Sequence, residues 1–219
     1  MWKRVYVWEA PVRVQHWIHV LTMLVLTLTG VYIGHPFIGL AVTPDVEFHI
    51  TDWMRFSHFV GAWVFGLGFL VRLYWFFVGN EYARWSGWAP VTREKLGGLV
   101  DQLKYYLFLK RERPRYTGVN PFSGATYLFL GVIIVLQGVT GIALYAEPYP
   151  TGFWRVTFGW ILTAFGNQTV RLIHHGLMYV FGMFLLVHLY MMVLGDMEEG
   201  NAPITGIISG WKFEPADEE

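Results

Sequence analysis

The sequence predicts an all-α integral membrane protein whose body is a bundle of four transmembrane helices. Three observations predict it: too little charge for a water-solvated surface, four apolar segments of membrane-crossing length, and a lopsided distribution of basic residues. Of 219 residues, 54% are hydrophobic, 18% aromatic and only 15% charged, with a mean hydropathy of +0.39. Soluble domains carry about a quarter charged residues, so a water-soluble globular enzyme is excluded. The 16 basic and 16 acidic residues cancel, and with eleven tryptophans this composition is neither that of a disordered chain nor that of a nucleic-acid binder. The length suits one membrane domain over residues 1–219.

About 20 apolar residues in a helix cross a bilayer core, at about 1.5 Å of rise per residue. Four segments meet this length: approximately 16–34, 56–78, 124–146 and 173–194. Turn-forming or charged residues follow each: His35-Pro36, Gly79-Asn80-Glu81, Glu147-Pro148 and Gly195-Asp196. The third span carries no charge at all, and Arg72 is the one basic residue lying inside a span rather than at its edge. No cleaved signal peptide is expected, because the first apolar run is span-length and no small-residue cleavage site follows it.

Four spans put both termini and the 79–123 loop on one side. That side holds Lys3, Arg4, Arg13, Lys212 and eight basic residues of the loop; the other holds Arg155, with Arg55 and Arg171 at span edges. The excess of Lys and Arg predicts that both termini, with the tail 195–219, are cytoplasmic. The acidic tail residues Glu214, Asp217, Glu218 and Glu219 do not disturb this, since acidic residues count little. Within the loop, Leu96, Leu99, Val100, Leu103 and Leu107 recur at helical spacing beside Lys104 and Lys110, which predicts a cytoplasmic amphipathic helix lying in the membrane interface.

The histidines carry the functional reading. His174 and His188 are fourteen residues apart on the fourth span, which returns them to within about 40° of one face and separates them by about 21 Å along the axis. Because the first and second spans run in opposite directions, His58 comes out at the level of His174 and His16 at the level of His188. Two imidazoles facing each other at each of two levels is the arrangement that ligates the iron of two b-type haems axially on both faces. Such an iron has no open position and transfers electrons. The chain has no cysteine, so iron–sulfur ligation and c-type haem attachment are excluded. Zinc at the outer level would need a third or fourth ligand and would leave the lower pair unexplained. His19 and His175 are substitute ligands, about 60° and about 100° off the faces of His16 and His174. Arg13, Arg55 and Arg171 flank the histidines and are candidate partners for haem propionates, although span-edge arginines also snorkel to lipid headgroups. Gly30, Gly34, Gly61, Gly66, Gly68, Gly131, Gly138 and Gly141 would admit a flat macrocycle or a neighbouring helix.

Several motifs resemble one family. Tyr6-Val7-Trp8-Glu9-Ala10-Pro11-Val12-Arg13 followed by His16-Trp17 is similar to the N-terminal motif of the b-type cytochrome subunit of membrane-bound nickel–iron uptake hydrogenases, within the bacterial cytochrome b561 superfamily. So are Arg55-Phe56-Ser57-His58, Arg72-Leu73-Tyr74-Trp75 and Val78-Gly79-Asn80. His174-His175-Gly176-Leu177-Met178-Tyr179 with His188-Leu189-Tyr190-Met191 resembles that family's two-histidine helix. Cytochrome b subunits of formate dehydrogenases and thiosulfate reductases share the histidine arrangement, as do freestanding quinol-oxidising cytochromes; Glu9-Ala10-Pro11-Val12-Arg13 favours the hydrogenase subunit.

The resemblance implies one haem b between His58 and His174 on the outer side and a second between His16 and His188 on the cytoplasmic side, with His174 and His175 both open as the outer ligand. It implies residence in the bacterial inner membrane beside lipid, and two partners, an iron–sulfur small subunit and a nickel–iron large subunit. The implied role is a relay of electrons from hydrogen to quinone, in an oxidoreductase complex whose bond-making is done elsewhere. An electron crossing the bilayer works against up to about 2.3 kcal/mol per 100 mV. The quinone is expected near the inner haem, among Arg13, His19 and Tyr190.

Overall fold

A computed structural model describes residues 2–37, 44–149, 151–199 and 203–215. Asp217, Glu218 and Glu219 of the acidic tail lie outside the described residues. In chain order the elements are β1 (Trp2–Tyr6), α1 (Ala10–Gly34), α2 (Pro44–Val78), α3 (Trp85–Trp88), α4 (Arg93–Tyr106), α5 (Pro121–Tyr145), α6 (Phe153–Phe165), α7 (Asn167–Glu199), α8 (Pro203–Ser209) and β2 (Trp211–Pro215). The four long helices α1, α2, α5 and α7 are each long and apolar enough to cross a membrane.

These helices turn apolar side chains outward. On α7, Leu172, Tyr179, Met183, Leu186 and Tyr190 recur every three, four or seven residues and are all exposed by 65% or more. Leu21, Leu24 and Leu28 make a similar stripe on α1. A stripe of this kind has hydrocarbon, not water, as its natural solvent. The helices overrun the expected spans: α2 starts at Pro44 rather than near 56, and α7 does not stop at Gly195-Asp196 but continues to Glu199. Hydropathy marks the apolar stretch only, whereas the backbone hydrogen-bond ladder continues wherever contacts hold it. At the end of α7, Glu198 accepts from Tyr105 Oη (2.8 Å) and from Arg113 Nη1 (2.7 Å).

The chain packs as two compact units. One comprises Met1–His16, Phe69–Gly131 and Leu186–Glu219; the other comprises Trp17–Gly68 and Val132–Leu185. The first unit contains a feature the hydropathy pattern does not announce, an antiparallel pair of β1 and β2 with Arg4 opposite Phe213. Arg4 lies over the Trp211 ring at 4.3 Å, and the amides of Val7 and Trp8 both donate to Gly210 O. Gly210 adopts φ +90° with Tyr6 and the Trp8 carbonyl so close that a side chain there would collide with both. The sheet joins the two end segments of the chain.

In the same unit Glu9 ties the start of α1 to the end of α2. Its Oε2 accepts from Trp75 Nε1 and from the Asn80 amide, both at 2.8 Å. Asn80 in turn donates from Nδ2 to Val7 O, and its Oδ1 accepts from the amides of Tyr82 and Ala83. The loop contains a helix, α4, N-capped by Thr92, with Glu94 in its first turn and Lys104 in its last. Leu96, Val100, Leu103 and Leu107 are exposed on it.

The second unit has a small core of Ala143, Ile161 and Val170, with Val139, Leu144, Phe158 and Leu162 against it. Ile161 belongs to α6, bracketed by Gly152 and Gly166 at positive φ, a helix that lies beyond the sequence reading. Charge-assisted hydrogen bonds contribute about 1.5–3 kcal/mol each, so Glu9→Ala, which removes one acceptor from two donors, is expected to destabilise the detergent-solubilised protein by about 2 kcal/mol or more. Thermal unfolding followed by tryptophan fluorescence measures this, and a variant as stable as the wild type contradicts the role given to Glu9.

Candidate functional site

Each unit brings one pair of histidines together. In the first, the His16 ring from α1 and the His188 ring from α7 have centroids 6.4 Å apart at an interplanar angle of 51°. In the second, His58 from α2 and His174 from α7 also stand 6.4 Å apart, at 69°. The pairings are those expected from helix direction and the fourteen-residue spacing.

The His58–His174 pair is held by a device that occurs twice. On α1, Thr29 Oγ1 donates to Val25 O (2.6 Å) and therefore accepts from His58 Nδ1–H (2.9 Å). On α5, Thr140 Oγ1 donates to Leu136 O (2.8 Å) and accepts from His174 Nδ1–H (3.0 Å). Both threonines are buried. The next residue is glycine in each case. A Cβ on Gly30 would stand 3.3 Å from His58 Cε1, and one on Gly141 would stand 3.0 Å from His174 Cε1. A Thr-Gly dipeptide thus takes the Nδ1 proton of an imidazole and leaves room for its ring. The glycines were expected to admit a macrocycle or a helix; what these two admit is the histidine itself.

Fixing Nδ1–H leaves Nε2 with the lone pair, as a metal-ligating imidazole needs. Gln137 Nε2 donates weakly to His174 Nε2 at 3.4 Å, consistent with that tautomer. Gln137, Thr29 and Thr140 contact the paired histidines, which reading for histidines alone misses. Of the five Thr-Gly dipeptides in the sequence, only Thr29-Gly30 and Thr140-Gly141 fall within the membrane-length helices, and that placement is the signal.

The remaining candidates are placed as follows. His175 turns away from the pair: its Nδ1 donates to Arg171 O (2.9 Å) and its Nε2 lies against Gly34. His19 donates from Nε2 to Phe65 O (3.0 Å) and stacks on the Phe65 ring. Arg171 is paired with Glu147 (2.7 Å) and Asn167. Arg13 Nη1 donates to Ile208 O (2.6 Å), Arg55 is exposed on α2, and Tyr190 is exposed on α7. Among the described residues there is no cluster of three or more His, Asp or Glu.

Apolar helices that bring imidazoles together in pairs are the architecture of a membrane b-type cytochrome. The comparisons with known proteins agree. A family model described as prokaryotic cytochrome b561 matches residues 7–210. The chain is 37% identical over 215 residues to a protein of Azotobacter vinelandii named "Probable Ni/Fe-hydrogenase B-type cytochrome subunit", covering 95% of this chain and 88% of the relative. It is 34% identical over 214 residues to the protein of that name in Cupriavidus necator, covering 96% and 87%. It is 32% identical over 214 residues to the "Probable Ni/Fe-hydrogenase 1 B-type cytochrome subunit" of Escherichia coli K12, covering 94% and 90%. The chain belongs to the prokaryotic cytochrome b561 family.

Membership implies haem b, and the residues present fit it. A metal–nitrogen bond of about 2.0 Å, added to the roughly 1.15 Å from an imidazole nitrogen to its ring centre that follows from ring bonds of about 1.33 Å, puts the centroids of two axial imidazoles about 6.3 Å apart. Both pairs stand at 6.4 Å. Outer-shell partners of ligating histidines typically change metal affinity 10–100-fold, so Thr140→Val is expected to loosen haem retention by about that factor, read from the rate of haem transfer to apomyoglobin. His175→Ala is expected to keep the wild-type haem content, whereas His174→Ala loses haem; the reverse result would make His175 the ligand.

Proposed function

We propose that this chain is the di-haem b-type cytochrome subunit that anchors a nickel–iron hydrogenase on the periplasmic side and relays electrons from its iron–sulfur small subunit across the inner membrane to quinone. The observation that carries this reading is two separate pairs of imidazoles, each with ring centroids 6.4 Å apart, on membrane-length helices. When bound, each haem b supplies a one-electron ferric–ferrous couple. His16 with His188, and His58 with His174, would hold one haem each, and with both imidazoles of a pair given to the iron it would transfer electrons rather than bind oxygen.

The partner assignment rests on the names of the relatives, which favour a hydrogenase over a formate- or thiosulfate-linked enzyme. The excess of basic residues in the segments flanking β1, α4 and β2 supports cytoplasmic termini, with His58 and His174 toward the periplasm. The exposed apolar face of α4 suits the cytoplasmic membrane interface, where Lys104 reaches the headgroups. The quinone end of the relay is assigned to Arg13, His19 and Tyr190, polar groups that would orient a quinone and pass it protons.

Pyridine haemochrome analysis of the purified protein is expected to give about two b haems per chain, and about one in each of His58→Ala and His188→Ala. One haem in the wild type, or no loss in either variant, contradicts the reading. In the intact complex, Arg13→Ala and His19→Ala are expected to slow hydrogen-driven quinone reduction while leaving reduction of an artificial dye unchanged. Equal rates with quinone would remove those residues from the site.

A further inference from the structure

Arg72 is a charged residue within a membrane-length helix, where such groups are costly and face a partner that compensates them. Its surroundings are well defined and all lie in the first unit. Nη2 donates to Ala83 O (3.2 Å), and the guanidinium carbon stands over the Trp88 ring, 5.5 Å from its centroid. Trp88 Nε1 donates to the same Ala83 carbonyl, so the turn after α2 is shaped to seat this side chain. Nη1 is buried and has no hydrogen-bond partner, and among the described residues no carboxylate pairs with Arg72. The guanidinium therefore lacks an anion.

Its level on the helix says where the anion belongs. Glu9, the residue before α1, is bonded to Trp75 and Asn80 at the end of α2, which sets the two helix ends side by side. His16 lies six residues into α1 from Ala10, and Arg72 lies six residues before the end of α2 at Val78. Both are thus about 9 Å in from the same edge. The spacing along α2 agrees: Arg72 follows His58 by fourteen residues, as His188 follows His174 on α7. Where α7 presents a second imidazole, α2 presents a guanidinium.

We propose that Arg72 binds a propionate of the haem held by His16 and His188, donating from Nη1 to a carboxylate oxygen. This rests on the di-haem reading above. Of the span-edge arginines, Arg171 is paired with Glu147, and Arg13 keeps only Nε buried and unpartnered while its Nη1 donates to Ile208 O. A cation fixed beside the haem also favours the ferrous form, because reduction adds a negative charge that the guanidinium attracts.

The test is redox potentiometry of the full-length haem-loaded protein in a His58→Ala background, where the inner haem alone remains. Adding Arg72→Gln is expected to lower the ratio of ferrous to ferric haem on the order of tenfold at fixed potential, a fall of about 59 mV in midpoint for one electron. Arg72→Lys is expected to restore most of it. An unchanged midpoint with haem retained overturns the proposal. If Arg72→Gln sheds the haem instead, recovery of haem and midpoint in Arg72→Lys supports it, and equal loss in Arg72→Lys overturns it by reducing Arg72 to a packing role. A His58→Ala parent without b haem sinks the di-haem reading, and this proposal with it.

Discussion

Placing an imidazole inside hydrocarbon creates a constraint that the rest of this molecule answers. Both ring nitrogens need partners, and only one of them can be given to iron. In the His58–His174 pair, Nδ1 of each ring donates to a threonine whose own proton is already committed to the backbone one turn earlier. That arrangement sets the tautomer, the ring orientation and the direction in which the lone pair points. It works only if helices approach closely enough for hydroxyl and ring to meet, which is why a glycine follows each threonine. Substituting either member of the dipeptide disturbs the same ligand through a different force, one electrostatic and one steric.

The polar groups near the ends of α1 and α2 obey the same rule. Glu9 could not stand as an isolated carboxylate at a helix junction, and it satisfies an indole N–H and a backbone amide at once. That contact makes sense of the Glu9-Ala10-Pro11 stretch in physical terms: a carboxylate immediately before a helix, followed by a proline whose missing N–H costs nothing in a first turn. The same junction sets His16 and Arg72 at one depth, so a motif recognised first as a family mark serves to register two helices.

Much of this was legible in the sequence. Hydropathy identifies four membrane-length helices because hydrocarbon demands long uncharged stretches and little else produces them. The histidine pairs followed from helix periodicity and strand direction alone, since fourteen residues bring the chain back nearly to the same face. Other features were not legible. The β1–β2 pair joins segments at opposite ends of the chain, and no local pattern encodes so long a closure. The overrun of α7 depends on Tyr105 and Arg113, partners distant in sequence. That His174 rather than His175 faces His58 could not be read from angles on one helix, because His174 is held by Thr140 on another.

Electron paramagnetic resonance of the oxidised, haem-replete protein at cryogenic temperature tests the paired-imidazole account most directly. Two strong nitrogen ligands on every iron predict low-spin ferric signals alone, unchanged when cyanide is offered. A high-spin ferric signal from a substantial share of the haem, or a spectrum that cyanide converts, would mean that an axial position is open and that the opposed rings do not both reach the metal.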